Sequence, residues 1–351
     1  MAADAPADPL TLIEALRALA DPTRVRIMRL LTRMELAVGE LAEVLGQSQP
    51  RVSRHIRILS DAGLACRRRE GSWVFVRSAI GGQASAFAAT LARLLDHGED
   101  EDAAFAAQAE ADRLRLWQIR TKREARAAEW FARHAAEWDV LRSLHIADGP
   151  VEAALARLLV PTSAAGGRSG PPLGRLLDVG TGTGRMAELF EPLAAAVVAL
   201  DSSPEMLRLA RARLQHLAPG RVELAHGDFA ALPFATASFD TVLFHQVLHY
   251  AQAPELVLAE AARVTRPGGR IAIVDFAAHQ REELRDRYAH ARLGFADEQV
   301  AAMLRDAGFA PGAAETLYGR ELTVMIWLGE RLAATVRRLP HAAAAALKES
   351  A

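Results

Sequence analysis

Leu176-Leu177-Asp178-Val179-Gly180-Thr181-Gly182-Thr183-Gly184-Arg185 decides the fold of the C-terminal half of this 351-residue chain. An apolar run broken only by one acid gives way to glycines at alternate positions, the pattern of a strand that turns tightly into a helix. Such a loop lets the backbone approach a ligand at the edge of an open α/β sheet. Working outward, residues 195–200, 222–225, 241–244 and 270–274 are further short apolar runs with helix-like segments between most of them. That alternation predicts a doubly wound, Rossmann-like sheet with helices on both faces. The glycine motif alone leaves the ligand open, because Gly182-Thr183-Gly184-Arg185-Met186-Ala187 also satisfies a loose dinucleotide pattern.

Three carboxylates narrow the choice. Asp178 stands at the mouth of the loop, unfavourable beside a pyrophosphate and favourable near an ammonium group. Asp201 ends the second strand, where an acid accepts hydrogen bonds from ribose hydroxyls. Ser202 follows it, and Met206 is placed to pack on an adenine. Gly227-Asp228-Phe229 follows the third strand, with Asp228 suited to an adenine amine and Phe229 to stacking. His245, His249 and Tyr250 are the candidate catalytic groups beside this site, and each has an equally plain structural reading.

The N-terminal half reads differently. Asp21-Pro22-Thr23 interrupts helical periodicity between residues 11 and 31, and two further helices are expected at 38–45 and 49–62 around Gly46-Gln47-Ser48. Segments 65–70 and 73–77 alternate around Gly71-Ser72, a hairpin that forms a wing. This is a winged helix-turn-helix, whose second helix places its first turns in a DNA major groove. Between Arg51 and Arg77 seven arginines face two carboxylates, a net of +5 in a chain whose overall charge is −1. Gln47, Ser48, Gln49, Arg51, Ser53, Arg54, His55 and Arg57 are the candidate readers, with Arg67, Arg68 and Arg69 of the hairpin suited to phosphates. Arginine is also this protein's default cation, 40 of its 42 basic residues, so charge by itself does not prove DNA binding.

Apolar residues make up 51% and charged residues 24%, the composition of a folded globular protein. Cys66 is the only cysteine, which excludes intramolecular disulfides and cysteine-rich metal clusters. Residues 1–9 lack a basic start followed by an apolar run, and no stretch reaches the roughly 20 apolar residues of a membrane helix, so a cytoplasmic location is expected. The multidomain expectation is therefore an α+β winged helix-turn-helix over 8–97, a helical connector over 98–160 and an α/β Rossmann-like domain over 161–330.

Ala20-Asp21-Pro22-Thr23-Arg24, the run 45–50, Ser53-Arg54-His55-Ile56 and Ala62-Gly63-Leu64 resemble the ArsR/SmtB family of dimeric bacterial repressors. The resemblance implies a homodimer on double-stranded DNA with an inverted-repeat operator. The arsenic-sensing members carry cysteines where this chain has Ala37 and Gly39, so no metal is expected. The glycine loop, the carboxylates, the run 239–249 and the run 263–269 resemble the class I S-adenosylmethionine-dependent methyltransferases. That likeness implies that Asp178, Gly180, Thr181, Gly182 and Gly184 line a methionine site, that Asp201 holds ribose, and that Asp228 and Phe229 hold adenine. It also places His245 beside the methyl group. Trp130, Phe131, Trp138 and Asp139 form a lid or an ordinary amphipathic helix.

Regulators are known that join these two halves and sense S-adenosylhomocysteine, and the architecture resembles theirs. One reading is thus a DNA-binding regulator with S-adenosylhomocysteine or S-adenosylmethionine as effector. Another is a small-molecule methyltransferase with a regulatory DNA-binding domain, and a third is an oxidoreductase using a nicotinamide cofactor.

Overall fold

The computed structural model describes residues 12–32, 34–79, 86–134, 148–160, 171–319 and 321–333. In the N-terminal part, α1 (Leu12–Leu19) and α2 (Pro22–Leu31) separate at Asp21. Its carboxylate accepts the Arg24 amide at 3.1 Å while Pro22 takes a first-turn position, as the Asp-Pro-Thr triplet predicts. β1 (Leu36–Ala37) leads into α3 (Val38–Leu45), and α4 (Gln49–Asp61) follows a short turn. Val52, Ile56 and Leu59 bury one side of α4, which leaves Gln49, Arg51, Ser53, Arg54 and Arg57 exposed on the other. β2 (Ala65–Glu70) and β3 (Trp73–Ser78) form the hairpin, and β3 also pairs with β1 in a three-stranded sheet of order β1-β3-β2.

α5 (Ala86–Glu101) and α6 (Ala103–His134) break at Asp102, whose carboxylate accepts the amides of Ala104 and Phe105. The first half of α6 packs back on the winged domain. Leu116 joins its core, and Arg26 of α2 grips the buried Asp112 with two hydrogen bonds of 2.7 and 2.6 Å. α7 (Asp148–Leu159) contributes Val151, Ala154, Leu155 and Leu159 to the C-terminal core.

The C-terminal sheet contains β4 (Arg175–Val179), β5 (Ala196–Asp201), β6 (Val222–His226), β7 (Phe239–His245) and β8 (Thr265–Phe276) in parallel, in the order β6-β5-β4-β7-β8. Three more strands, β9 (Phe309–Pro311), β10 (Glu315–Tyr318) and β11 (Thr323–Arg331), add an antiparallel edge through β8–β11 pairing, so the sheet is mixed. The helices are α8 (Arg185–Phe190), α9 (Pro204–Leu214), α10 (Pro254–Val264), α11 (Glu283–Tyr288) and α12 (Asp297–Asp306). Successive residues of β4 and β5 point to opposite faces: Leu176, Val197 and Ala199 enter one apolar layer, Leu177, Val198 and Leu200 the other. β4 and β7 are neighbours whose onward connections run in opposite directions, β4 to β5 and β7 to β8, which opens a crevice at the strand ends. Among the described residues no helix is long and apolar enough to cross a membrane.

Candidate functional site

The crevice holds a pocket walled by the glycine loop, the end of β5 and the start of α9, Gly227 and Phe229 after β6, and the turn after β7. Gly180 has φ +68°, and a Cβ there would meet Val247 Cγ2 at 2.3 Å, so the loop demands glycine on two independent grounds. Asp178 is buried and accepts the Thr181 hydroxyl at 2.6 Å, which fixes the first bend. Asp201 ties the loop to α9, accepting the amides of Gly182 and Ser203 at 2.8 Å each.

Most of the predicted residues converge. Asp178, Gly180, Thr181, Gly182, Asp201, Ser202, Met206, Gly227, Phe229 and His245 all line the pocket. Gly184 and Asp228 do not. A Cβ on Gly184 would meet Ala210 Cα at 3.3 Å, so this glycine seats the loop on α9 and stays out of the pocket wall. Asp228 is exposed, and its carboxylate accepts the Ala230 amide at 2.8 Å. The side chains of Trp130 and Phe131, and the whole of Trp138 and Asp139, lie outside the described residues. Sequence reasoning missed several residues of the wall, Arg185, Glu205, Gln246 and Val247 among them. Arg185 is bound by Glu152 of α7 at 2.8 and 2.7 Å, while Gln246 holds φ +53°, an unusual backbone for a non-glycine residue that no local pattern announces.

Burial raises the Asp201 carboxyl above its ordinary value, against the opposing amides of Ser203, Gly182 and Ser202. The ionised form is the one that accepts two hydroxyl donors. Ligand affinity is therefore expected to fall with decreasing pH from a point above the ordinary carboxylate range, as calorimetry at successive pH values checks. The unliganded fold responds oppositely: a raised folded-state pKa gives stability that is present at low pH and lost as pH rises through it.

The three catalytic candidates differ in setting. His245 and Tyr250 line the pocket. His249 stands behind them, 2% exposed, its Nδ1 2.7 Å from Asp275 Oδ1 and its ring 4.1 Å from Tyr250. Burial, then Asp275, pushes the Tyr250 phenol well above its ordinary value, so it is a hydroxyl donor and not a base at neutral pH.

On the second surface, Ser48, Gln49, Arg51, Ser53, Arg54, Arg57, Arg67 and Arg69 are exposed. Three predicted readers are turned inward. Gln47 donates to Thr23 Oγ1 at 3.3 Å, His55 Nδ1 lies 3.7 Å from Asp21, and Arg68 is held by Glu35 at 3.1 Å and Glu70 at 2.8 Å. Strand alternation explains Arg68: its neighbours Arg67 and Arg69 face away from the side it occupies.

The fold and its two surfaces thus define a winged helix-turn-helix domain joined to an α/β domain with a small-molecule crevice at its switch point. Residues 21–65 match the family described as bacterial regulatory protein, arsR family, and residues 177–273 match that described as methyltransferase domain. The chain therefore joins an ArsR-family helix-turn-helix domain to a class I methyltransferase domain. It is 39% identical over 103 residues to a demethylmenaquinone methyltransferase of Renibacterium salmoninarum, covering 29% of this chain and 41% of that one. It is 34% identical over 150 residues to a malonyl-[acyl-carrier protein] O-methyltransferase of Methylococcus capsulatus, covering 40% of this chain and 53% of that one. The chain thus spans about half or less of these relatives' length. An N-methyltransferase of Bradyrhizobium japonicum, solved in complex with S-adenosyl-L-homocysteine, matches with a TM-score of 0.42 and 17% identity over 52% of this chain and 86% of that one.

Proposed function

We propose that this protein is a cytoplasmic, homodimeric DNA-binding regulator whose methyltransferase domain binds S-adenosylhomocysteine or S-adenosylmethionine as effector. The observation that carries this reading is the convergence, in one chain, of a pocket whose acceptors and apolar walls suit a nucleoside with an exposed cationic reading helix. Asp201 suits the ribose hydroxyls, Asp178 the ammonium end, and Phe229 and Met206 the adenine faces, while the tight loop at Gly180 and Gly182 lets backbone amides approach the amino-acid part. Arg51, Arg54 and Arg57 on α4 suit an inverted-repeat duplex read by a two-fold dimer.

The test is a DNA titration at fixed salt with S-adenosylhomocysteine, S-adenosylmethionine or NAD, since salt alone moves such affinities. Either adenosyl ligand is expected to change duplex affinity and NAD to leave it unchanged. Equal affinity in every condition, with ligand binding shown by a raised melting temperature, removes the effector reading. Within the reader, Arg51→Ala and Arg54→Ala are each expected to cost about 1–3 kcal/mol and to blur sequence preference. Arg67→Ala is expected to weaken all duplexes alike and to lower the salt slope by about one, whereas Arg68→Ala leaves the slope unchanged because its charge is spent inside the protein. A salt slope lowered by Arg68→Ala removes this assignment.

The second reading, a small-molecule methyltransferase, is favoured by the relatives that match the C-terminal half, which are methyltransferases by name. The class I cofactor would supply an electrophilic methyl group. Transfer from a sulfonium needs alignment more than a base, and His245 and the Tyr250 hydroxyl are the groups placed to orient an acceptor. Methyl transfer to a panel of small acceptors, followed with labelled cofactor, separates the two readings.

A further inference from the structure

We propose that the wing has two mutually exclusive seats, DNA and the methyltransferase domain, and that a ligand in the crevice strengthens the second. This rests on the DNA-reading and effector roles proposed above, and adds the element that couples them.

The tip of a wing reaches DNA backbone beside the recognition helix. Here it is already engaged. The Ser72 amide donates to the Glu282 carboxylate, and a Cβ on Gly71 would lie 1.7 Å from Glu282 Oε1 and 3.1 Å from Leu293 Cδ1. A carboxylate oxygen therefore holds the turn amide where a phosphate oxygen would bind, and the two anions cannot share that donor. Beside the tip, Glu70 accepts the Arg285 guanidinium at 2.6 Å and the Leu293 amide at 2.7 Å, and Arg285 lies 4.6 Å over the Trp73 ring.

One residue joins this seat to the crevice. Arg292 is 1% exposed, donates to Glu35 at 2.8 Å, and lies 4.1 Å over the Phe75 ring of the wing. It also holds the turn after β7: its amide donates to the His249 carbonyl at 2.9 Å, and its Nη2 to the Gln252 carbonyl at 2.9 Å. The same turn presents Gln246, Val247 and Tyr250 to the crevice. A ligand packed on those residues fixes the carbonyls that hold Arg292, and so favours the docked wing. Ligand is thereby expected to lower DNA affinity, and DNA to lower ligand affinity by the same factor.

The experiment uses the full chain, a duplex enriched by the wild-type protein from random sequence, and S-adenosylhomocysteine. Glu282→Ala removes the seat's carboxylate from a side chain 37% exposed, outside the crevice. For wild type, ligand is expected to weaken duplex binding by about 5- to 150-fold, the range of typical couplings. For Glu282→Ala, the ligand-free protein binds the duplex more tightly, the ligand effect shrinks several-fold, and ligand affinity by calorimetry falls no more than the linkage requires. Hydrogen exchange at residues 65–78 is expected to slow on ligand addition in wild type and to quicken in Glu282→Ala. If Glu282→Ala binds duplex and ligand with wild-type affinities and an undiminished ligand effect, the wing seat is overturned and the regulator reading stands. If the wild-type protein enriches no duplex, the DNA-reading role and the wing seat both fall.

Discussion

Asp201→Ala is expected to weaken S-adenosylhomocysteine binding by about 1.5–3 kcal/mol, roughly 10- to 150-fold, the scale of charge-assisted hydrogen bonds. The carboxylate sits at the end of β5 and its two oxygens already span from the Gly182 amide to the Ser203 amide. Alanine removes the proposed ribose acceptor and also unties the glycine loop from α9, so both direct contact and preorganisation are expected to be lost. Asp201→Asn separates these effects, since the amide keeps one oxygen acceptor and removes the charge; it is expected to lose less than alanine. Calorimetry at neutral pH reads both. An affinity unchanged in Asp201→Ala would place the nucleoside elsewhere.

Arg292→Met is expected to lower the stability of the full chain by about 1.5–3 kcal/mol, the scale of a buried hydrogen bond to a charged group. Burial pushes the Glu35 carboxyl up, and the Arg292 and Arg68 guanidiniums more than reverse this, so it is held below the ordinary carboxylate value. Among the described residues Arg68 is then the cation left on that carboxylate, and the Gln252 carbonyl loses the Arg292 donor. Methionine fills much of the volume but satisfies neither group. Urea denaturation followed by tryptophan emission and by circular dichroism reads the loss. In the double variant Glu35→Gln with Arg292→Met the cost is expected to be smaller than the sum of the single costs, because the two residues share one interaction. Additive losses would show that the pair does not couple across the interface.

Most of the local architecture is legible in residue order because it is set by short-range physics. Asp21-Pro22-Thr23 ends one helix and begins the next through a side-chain cap and a fixed proline φ. Gly71-Ser72 makes the wing turn, and Val52, Ile56 and Leu59 decide which side of α4 is left for solvent. The parallel strands announce themselves as short apolar runs because both faces of that sheet are covered. The antiparallel edge is less visible, since β9 and β10 are short and owe their place to pairing with β11.

The sites divide along the same line. Residue order by itself determined the glycine loop, the carboxylate at each of the first two parallel strand ends and the cationic run on the hairpin, all of which depend on spacing within one or two elements. Only the tertiary structure decided how those groups are used. Three successive arginines look equivalent in the hairpin, yet the pleat turns Arg68 toward Glu35 and Glu70 while Arg67 and Arg69 stay in solvent. Gly184 and Asp228 share motifs with pocket-lining residues, yet one packs against α9 and the other closes its own turn. The Glu35–Arg292 pair joins residues 257 positions apart, so no local pattern encodes it. Its cause is desolvation: once the wing and the segment after β8 exclude water from each other, every buried charge there requires an opposite charge within hydrogen-bond reach.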